Sequence, residues 1–237
     1  MTTKKQRAER RTDALSKQRI VEAAVALLDA TGESGLTFRT LAERLTTGAG
    51  AIYWHVANKD ELLAAATEAV VAAALAVEPS GPPSTPQDEI RAVALGLFDA
   101  IDEHPWLATQ LALHLSRAPM GPVTPRLFER IGRPVRALGT PESSWFTATS
   151  VLVHYILGAL GQNSASARTL GPATDRAQFL DAVATAWENL DPDEYPFTRA
   201  IAGQARDHDD REQFSTGIDL VLRGIAALSG SEPTRTD

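Results

Sequence analysis

Tyr53, Trp54 and His55 stand in consecutive positions, and Lys59 follows closely. Flat rings with hydrogen-bonding atoms beside a cation suit a phosphate backbone better than a protein core. The chain concentrates them here although it holds only 4 Trp and 3 Tyr. Just upstream lie Thr47, Gly48, Ala49, Gly50 and Ala51, small enough to let a backbone approach base edges. The spacing predicts the elements that would position both groups. Thr37 caps a helix over residues 38–45, with Phe38, Leu41, Ala42 and Leu45 on one face. Thr46 and Thr47 break it and offer side-chain oxygens to a second helix over residues 48–55. Ile52 and Val56 then point back at the first helix, while Thr47, Ala49, Gly50, Ala51 and the aromatic block face outward. This pattern reads as a DNA-binding helix-turn-helix. The same spacing also suits a small helical hairpin whose glycines only permit close packing.

The segment LTFRTLAERLTTGAGAIYWHVANKDELL, residues 36–63, resembles the DNA-binding domain of the tetracycline-repressor (TetR) family of bacterial transcriptional regulators. The resemblance extends back through a helix over residues 16–31, with the apolar set Ile20, Ala23, Ala24, Leu27 and Leu28. It implies that Arg39 contacts phosphate or a base edge and that Thr47, Ala49, Gly50 and Ala51 face the major groove. It further implies that Tyr53, Trp54 and His55 meet the backbone and that Lys59, opening the fourth helix, holds a phosphate. Two departures stand out. Thr46 occupies a turn position where the family usually has Gly, and the groove-facing positions lack the long polar side chains of many relatives.

Charge is divided along the chain. The whole carries a formal net charge of -7, yet all four lysines (Lys4, Lys5, Lys17, Lys59) fall in the first 59 residues. A basic end on an acidic body suits a protein with one end on DNA. Residues 1–15 are expected as a disordered basic arm adding salt-dependent affinity or simply solubility. Residues 16–61 form the expected helix-turn-helix domain. Cysteine is absent, which excludes disulfides and thiolate zinc sites. No apolar stretch follows the basic start as in a signal peptide, and the run over residues 62–77 is too short to span a bilayer. A cytoplasmic protein without membrane contact is therefore expected.

The fold class expected is all-α, with a larger helical ligand-binding and dimerisation domain over residues 62–228 and a disordered tail over residues 229–237. Residues 78–87, with four prolines, read as a loop. Helices are expected over residues 90–103, 105–115, 122–138, 141–162, 174–190, 196–204 and 209–228. Residues 150–160 are apolar on nearly all sides, and residues 217–227 set Gly217, Gly224 and Ala227 beside Leu220, Val221 and Ile225. Small residues near large ones allow close helix crossing about a two-fold axis, so these helices are expected to form a homodimer interface. Among the body's rings, Phe98, Trp106, His114, His154 and Tyr155 are the candidate contacts of an apolar or aromatic small molecule.

No catalytic residue, metal ligand or cofactor is expected. The sequence lacks a nucleophile elbow, a phosphate-cradling glycine loop and a His-Glu-x-x-His helix. Asp191, Asp193, Glu194 and His208, Asp209, Asp210 fall at loop–helix junctions, where Asp is expected as a cap. The function expected is that of a ligand-responsive homodimeric regulator, a repressor released from a (pseudo)palindromic operator by its effector. A regulator controlled by a protein partner or constitutively is the alternative, and a helical hydrolase or transferase a distant third.

Overall fold

The computed structural model describes residues 15–76, 85–170 and 176–229, the side chains of 167–170 and 229 excepted. Among the described residues every regular element is helical. In chain order these are α1 (Lys17–Gly35), α2 (Phe38–Leu45), α3 (Ala49–Tyr53), α4 (Lys59–Ala76), α5 (Pro86–Glu103) and α6 (Leu107–Arg117). They continue with α7 (Val123–Ala137), a 3-10 turn (Glu142–Ser144), α8 (Trp145–Leu170) and α9 (Arg176–Glu188). The last are α10 (Pro196–Ala200), α11 (Ala202–Arg206) and α12 (Asp210–Ser229). None of the described helices is long and apolar enough to cross a membrane.

The chain forms two compact units. One comprises Met1–Val77 with Asp99–Arg126, the other Glu78–Phe98 with Leu127–Asp237. In the first, Ile20, Ala24 and Leu28 of α1, Leu41 of α2, Ile52 of α3 and Leu62 of α4 are all but fully buried. Leu107 and Leu111 of α6 are equally buried in the same unit. In the second, the core is drawn from Ile90 and Leu97 of α5, Leu127 and Ile131 of α7, Leu152 and Ile156 of α8, and Phe214 and Ile218 of α12. Gly217 of α12 lies flat against the Tyr155 phenol, and any side chain there would overlap the ring.

Several boundaries differ from expectation for local reasons. The second helix of the expected helix-turn-helix is not residues 48–55 but the five residues of α3. After Tyr53 the backbone tightens, and the amides of His55 and Val56 both bond the Ile52 carbonyl. This returns Val56 to the core at 1% exposure. Thr46 and Thr47 do not cap α3. Thr46 instead ends α2 in the left-handed region at φ 52°, and Gly48 at the N-cap makes no side-chain bond. The family's usual glycine would occupy that conformation without the roughly 1–2 kcal/mol steric cost that an L side chain bears there.

The proline-rich loop also ends earlier than residue 87. Pro86 and Gln87 belong to the first turn of α5, where a missing N–H costs nothing, and Thr85 caps it by accepting from the Asp88 amide at 3.1 Å. The rest of that stretch, residues 78–84, lies outside the described residues. So do most of the basic arm and residues 230–237 of the tail, while Ser229 closes α12. The helix expected over residues 141–162 begins as a 3-10 turn and runs on to Leu170. The piece expected over residues 196–204 is two helices broken at Ile201.

Candidate nucleic-acid interface

Thr37 and Thr40 fix the entry of α2 by a reciprocal capping box, each hydroxyl taking a backbone N–H of the other residue, at 3.1 Å and 3.0 Å. With α2 so anchored, Phe38 presents its ring to Tyr53, and the two stack at 4.2 Å and nearly parallel. Phe38, expected on the apolar face of this helix with Leu41, Ala42 and Leu45, seats the tyrosine. Its i+15 partner across a turn leaves no periodic signal in the sequence. Ile52, 0% exposed, pins α3 to the core, so the opposite side of this short helix faces out. Gly48 and Gly50 are exposed there, and Thr47, Ala49 and Ala51 are half-buried. Trp54 follows at 91% exposure, beside Tyr53 at 54% and a half-buried His55. A tryptophan so uncovered has no role in the core of this unit.

The basic side chains are held locally. Arg39 pairs with Glu43 one turn on, at 3.0 Å, and both are well exposed. Lys59 donates from Nζ to the Glu33 carbonyl at 2.6 Å, tying the start of α4 to the end of α1. An ammonium has three donors, so this bond leaves capacity for a phosphate. The neighbours of Lys59 have structural work. Asn58 caps α4 by accepting from the Glu61 amide at 2.8 Å, and the Glu61 carboxylate accepts from the Ala57 amide at 2.8 Å. That backbone bond, with Lys17 alongside, lowers the Glu61 pKa below its ordinary value. Replacing Lys59 by Ala is expected to weaken binding to all DNA sequences alike and to flatten the slope of log K against log salt by about one unit. A titration of binding against salt checks this, and an unchanged slope removes Lys59 from the phosphate contacts.

The five ligand candidates divide between the units. Trp106 and His114 belong to the first. Trp106, 7% exposed, donates from Nε1 to Asp29 Oδ1 at 2.7 Å, an oxygen that also meets His104 Nδ1 at 2.8 Å. One turn further along α6, Gln110 donates to the Glu33 carboxylate at 2.8 Å. His114 borders a cavity of about 320 Å³ between α1, α4 and α6, and its Nε2 is buried with no hydrogen-bond partner. In the second unit, Phe98 and Tyr155 gather on Phe214, with ring centroids 5.3 Å and 5.9 Å away. The Tyr155 hydroxyl donates to the Phe214 carbonyl at 3.2 Å, and burial pushes its pKa up. Arg211 lies over the Phe98 ring. His154, next to Tyr155, faces out from α8.

The acidic junctions serve as caps. Asp191 accepts from the amides of Asp193 and Glu194, and Asp209 accepts from that of Glu212. Among the described residues no group of three His, Cys, Asp or Glu is placed to hold a metal.

A capped helix, a tight turn and a short helix with an uncovered aromatic end define a helix-turn-helix protein built onto a helical body. Comparison with known proteins makes this specific. Residues 20–66 match the bacterial regulatory proteins of the tetR family, and residues 78–229 match the tetracyclin repressor-like C-terminal domain. The chain belongs to the TetR family of transcriptional regulators, and these are not enzymes. An HTH-type transcriptional regulator of Saccharopolyspora erythraea is 32% identical over 92% of this chain and 87% of its own length. A solved TetR regulator of Streptomyces coelicolor is 63% identical with a TM-score of 0.81, over 91% of this chain and all of that one. Streptomyces coelicolor ActR, solved in complex with actinorhodin, is 26% identical with a TM-score of 0.74, over 92% of this chain and 100% of its own.

Proposed function

We propose that this chain acts as a homodimeric repressor that holds a (pseudo)palindromic operator and is released by a mostly apolar, aromatic small molecule. In this reading residues 16–61 bind DNA, with Arg39, Thr47, Ala49, Gly50, Ala51, Tyr53, Trp54, His55 and Lys59 as the contact set. Residues 62–228 carry regulation and dimerisation. The uncovered Trp54 and the open outer face of α3 support the DNA side. Two α3 helices must lie about one helical turn apart to read two half-sites, which calls for a dimer. The outward faces of α8 and α12 suit that role. Val151 and Leu220 are exposed at 45% and 59%, and Gly158 and Gly224 each have open space where a side chain would stand.

The observation that carries the effector side is the cavity lined by His114, a residue whose Nε2 is buried and unpartnered. A buried polar atom without a partner costs free energy, which a ligand group would recover. Leu63, Ala64 and Leu113 give that space an apolar wall, and Gln110 gives it an amide. A ligand seated there would touch α4, which begins at Lys59, and α6, bonded through Gln110 and Trp106 to α1. It would thus bias the DNA-binding head directly, and effector and operator would oppose each other by linkage. That ActR, a relative, is solved in complex with actinorhodin supports a ligand-responsive reading of this chain.

A thermal-shift screen of aromatic compounds tests the reading. A ligand at 100 times its Kd is expected to stabilise the protein by about 2.7 kcal/mol. The same compound should release bound operator, and His114→Leu should abolish both effects. Compounds that stabilise His114→Leu as well as the parent place the seat elsewhere. A screen without any stabilising compound favours control by a protein partner.

A further inference from the structure

In the second unit α9 and α11 pack on one another, and the residue that each buries is an alanine, Ala184 at 0% exposure and Ala202 at 1%. Small residues at that crossing let the two backbones approach, and larger side chains beside it flank a cavity of about 350 Å³. Phe179, Val183 and Trp187, one turn apart along α9, give it rings and an apolar wall, joined by Ile201 and Ala205. The frame is fixed from outside. Arg206 donates from Nε to Asp181 at 2.7 Å and from Nη1 to Glu188 at 3.1 Å, holding α11 along α9. Arg199 Nη1 donates to the Leu190 carbonyl at 2.6 Å and ties α10 to the end of α9.

Three amides line the same space, Gln162 of α8, Gln204 of α11 and Gln213 of α12. Among the described residues, none of these side-chain amides, nor the indole N–H of Trp187, has a hydrogen-bond partner in the protein. The lining holds no Asp, Glu, Lys or Arg. Its one titratable side chain, His208, bonds through Nε2 to Asp210 Oδ1 at 2.7 Å, and Arg176 meets the same oxygen at 2.8 Å. Those charges satisfy one another, so an ion entering the cavity would lose water and find no counter-charge. We infer that the cavity between α8, α9, α11 and α12 is a second small-molecule site, taking a neutral, flat compound of two or three rings that carries a carbonyl or hydroxyl group. An apolar wall with a few placed polar groups is what such a site needs, and its volume is close to the lower bound of roughly 300 Å³ for ligand pockets. A glutamine amide both donates and accepts and an indole only donates, so either kind of polar group on the ligand finds a partner. The cavities at Trp187 and at His114 share no residue and belong to different units. Neither operator binding nor the effector seat at His114 is needed for this one to fill.

The test titrates the full-length protein, without DNA, by calorimetry with 2-naphthamide and with 2-naphthoate. The two have the same ring outline, but at neutral pH one is uncharged and the other an anion. The amide is expected to bind roughly tenfold more tightly or better, because only the anion gives up its hydration without a counter-charge. Gln204 and Gln213 are both exposed, so Gln204→Leu and Gln213→Leu should leave the fold and the melting temperature unchanged. At least one of them should weaken 2-naphthamide about fivefold, the worth of one hydrogen bond. No saturable binding of the amide below about 1 mM, or equal affinity for amide and anion, overturns the inference. So does an affinity that neither glutamine variant changes, which places the molecule elsewhere on the protein.

Discussion

Gly224→Leu yields a folded monomer whose affinity for a two-half-site operator is at least a hundredfold weaker than that of the parent. The substitution is placed where the chain itself has room. A Cβ at Gly224 meets nothing within 4 Å, so the fold of the second unit and the melting temperature of the protomer are expected to hold. Its cost falls on whatever approaches α12 closely. On the same outward face stands Leu220 at 59% exposure, with Ala227 one turn beyond. A leucine in this stripe of small residues props a second helix away by the depth of an isobutyl group, which close crossing does not tolerate. Operator affinity falls further than dimer strength alone suggests. Two heads joined in one dimer bind the second half-site intramolecularly, a gain of roughly a hundredfold or more that a monomer forfeits. Sedimentation and operator titration read the two effects separately. A mutant that remains dimeric with an unchanged dissociation constant moves the interface elsewhere.

Trp106→Ala lowers stability by about 3–5 kcal/mol, a large share of the total for any domain. The side chain is 7% exposed, and its indole N–H is one of two donors on the Asp29 carboxylate. Removing it leaves both a cavity and a carboxylate with half its partners. Trp106→Phe separates the two terms, because the ring stays and only the N–H is lost. Its expected cost is about 1–3 kcal/mol, the price of one unmet polar bond in a partly buried site. Equal losses in both mutants would assign the whole contribution to the Asp29 bond and none to the ring. The result bears on regulation too. Trp106 and Gln110 are the bonds by which α6 holds α1, so Trp106→Phe should also weaken the coupling between effector and operator while leaving each binding alone.

Much of the DNA-binding head was legible in the sequence. Thr37 before a run with apolar residues at i, i+3, i+4 and i+7 marks α2 without ambiguity, and Ile52 and Val56 are buried as their spacing requires. Cap chemistry was harder. Threonines at 46 and 47 look like an N-cap signal, but the tight turn needs a left-handed residue, and Thr46 takes that role at a cost the sequence does not display. The sequence marks Lys59 as a phosphate contact but does not display that its neighbours Asn58 and Glu61 are engaged in starting α4. Ligand candidates were the least legible. His114 and His154 each sit among apolar neighbours in helices of similar composition, yet one has a nitrogen buried beside a cavity and the other faces outward. Periodicity gives the face of a helix, not what fills the space in front of it.

The most direct test of the account is the binding of the purified full-length protein to DNA from upstream of its own gene, at two salt concentrations, against random duplex. The account predicts tight, competitor-resistant binding that weakens steeply as salt rises, the mark of sequence reading by α3 on top of phosphate contacts from Lys59 and the exposed rings. Weak binding that random DNA displaces equally well, at both salt concentrations and for every selected duplex, would contradict it.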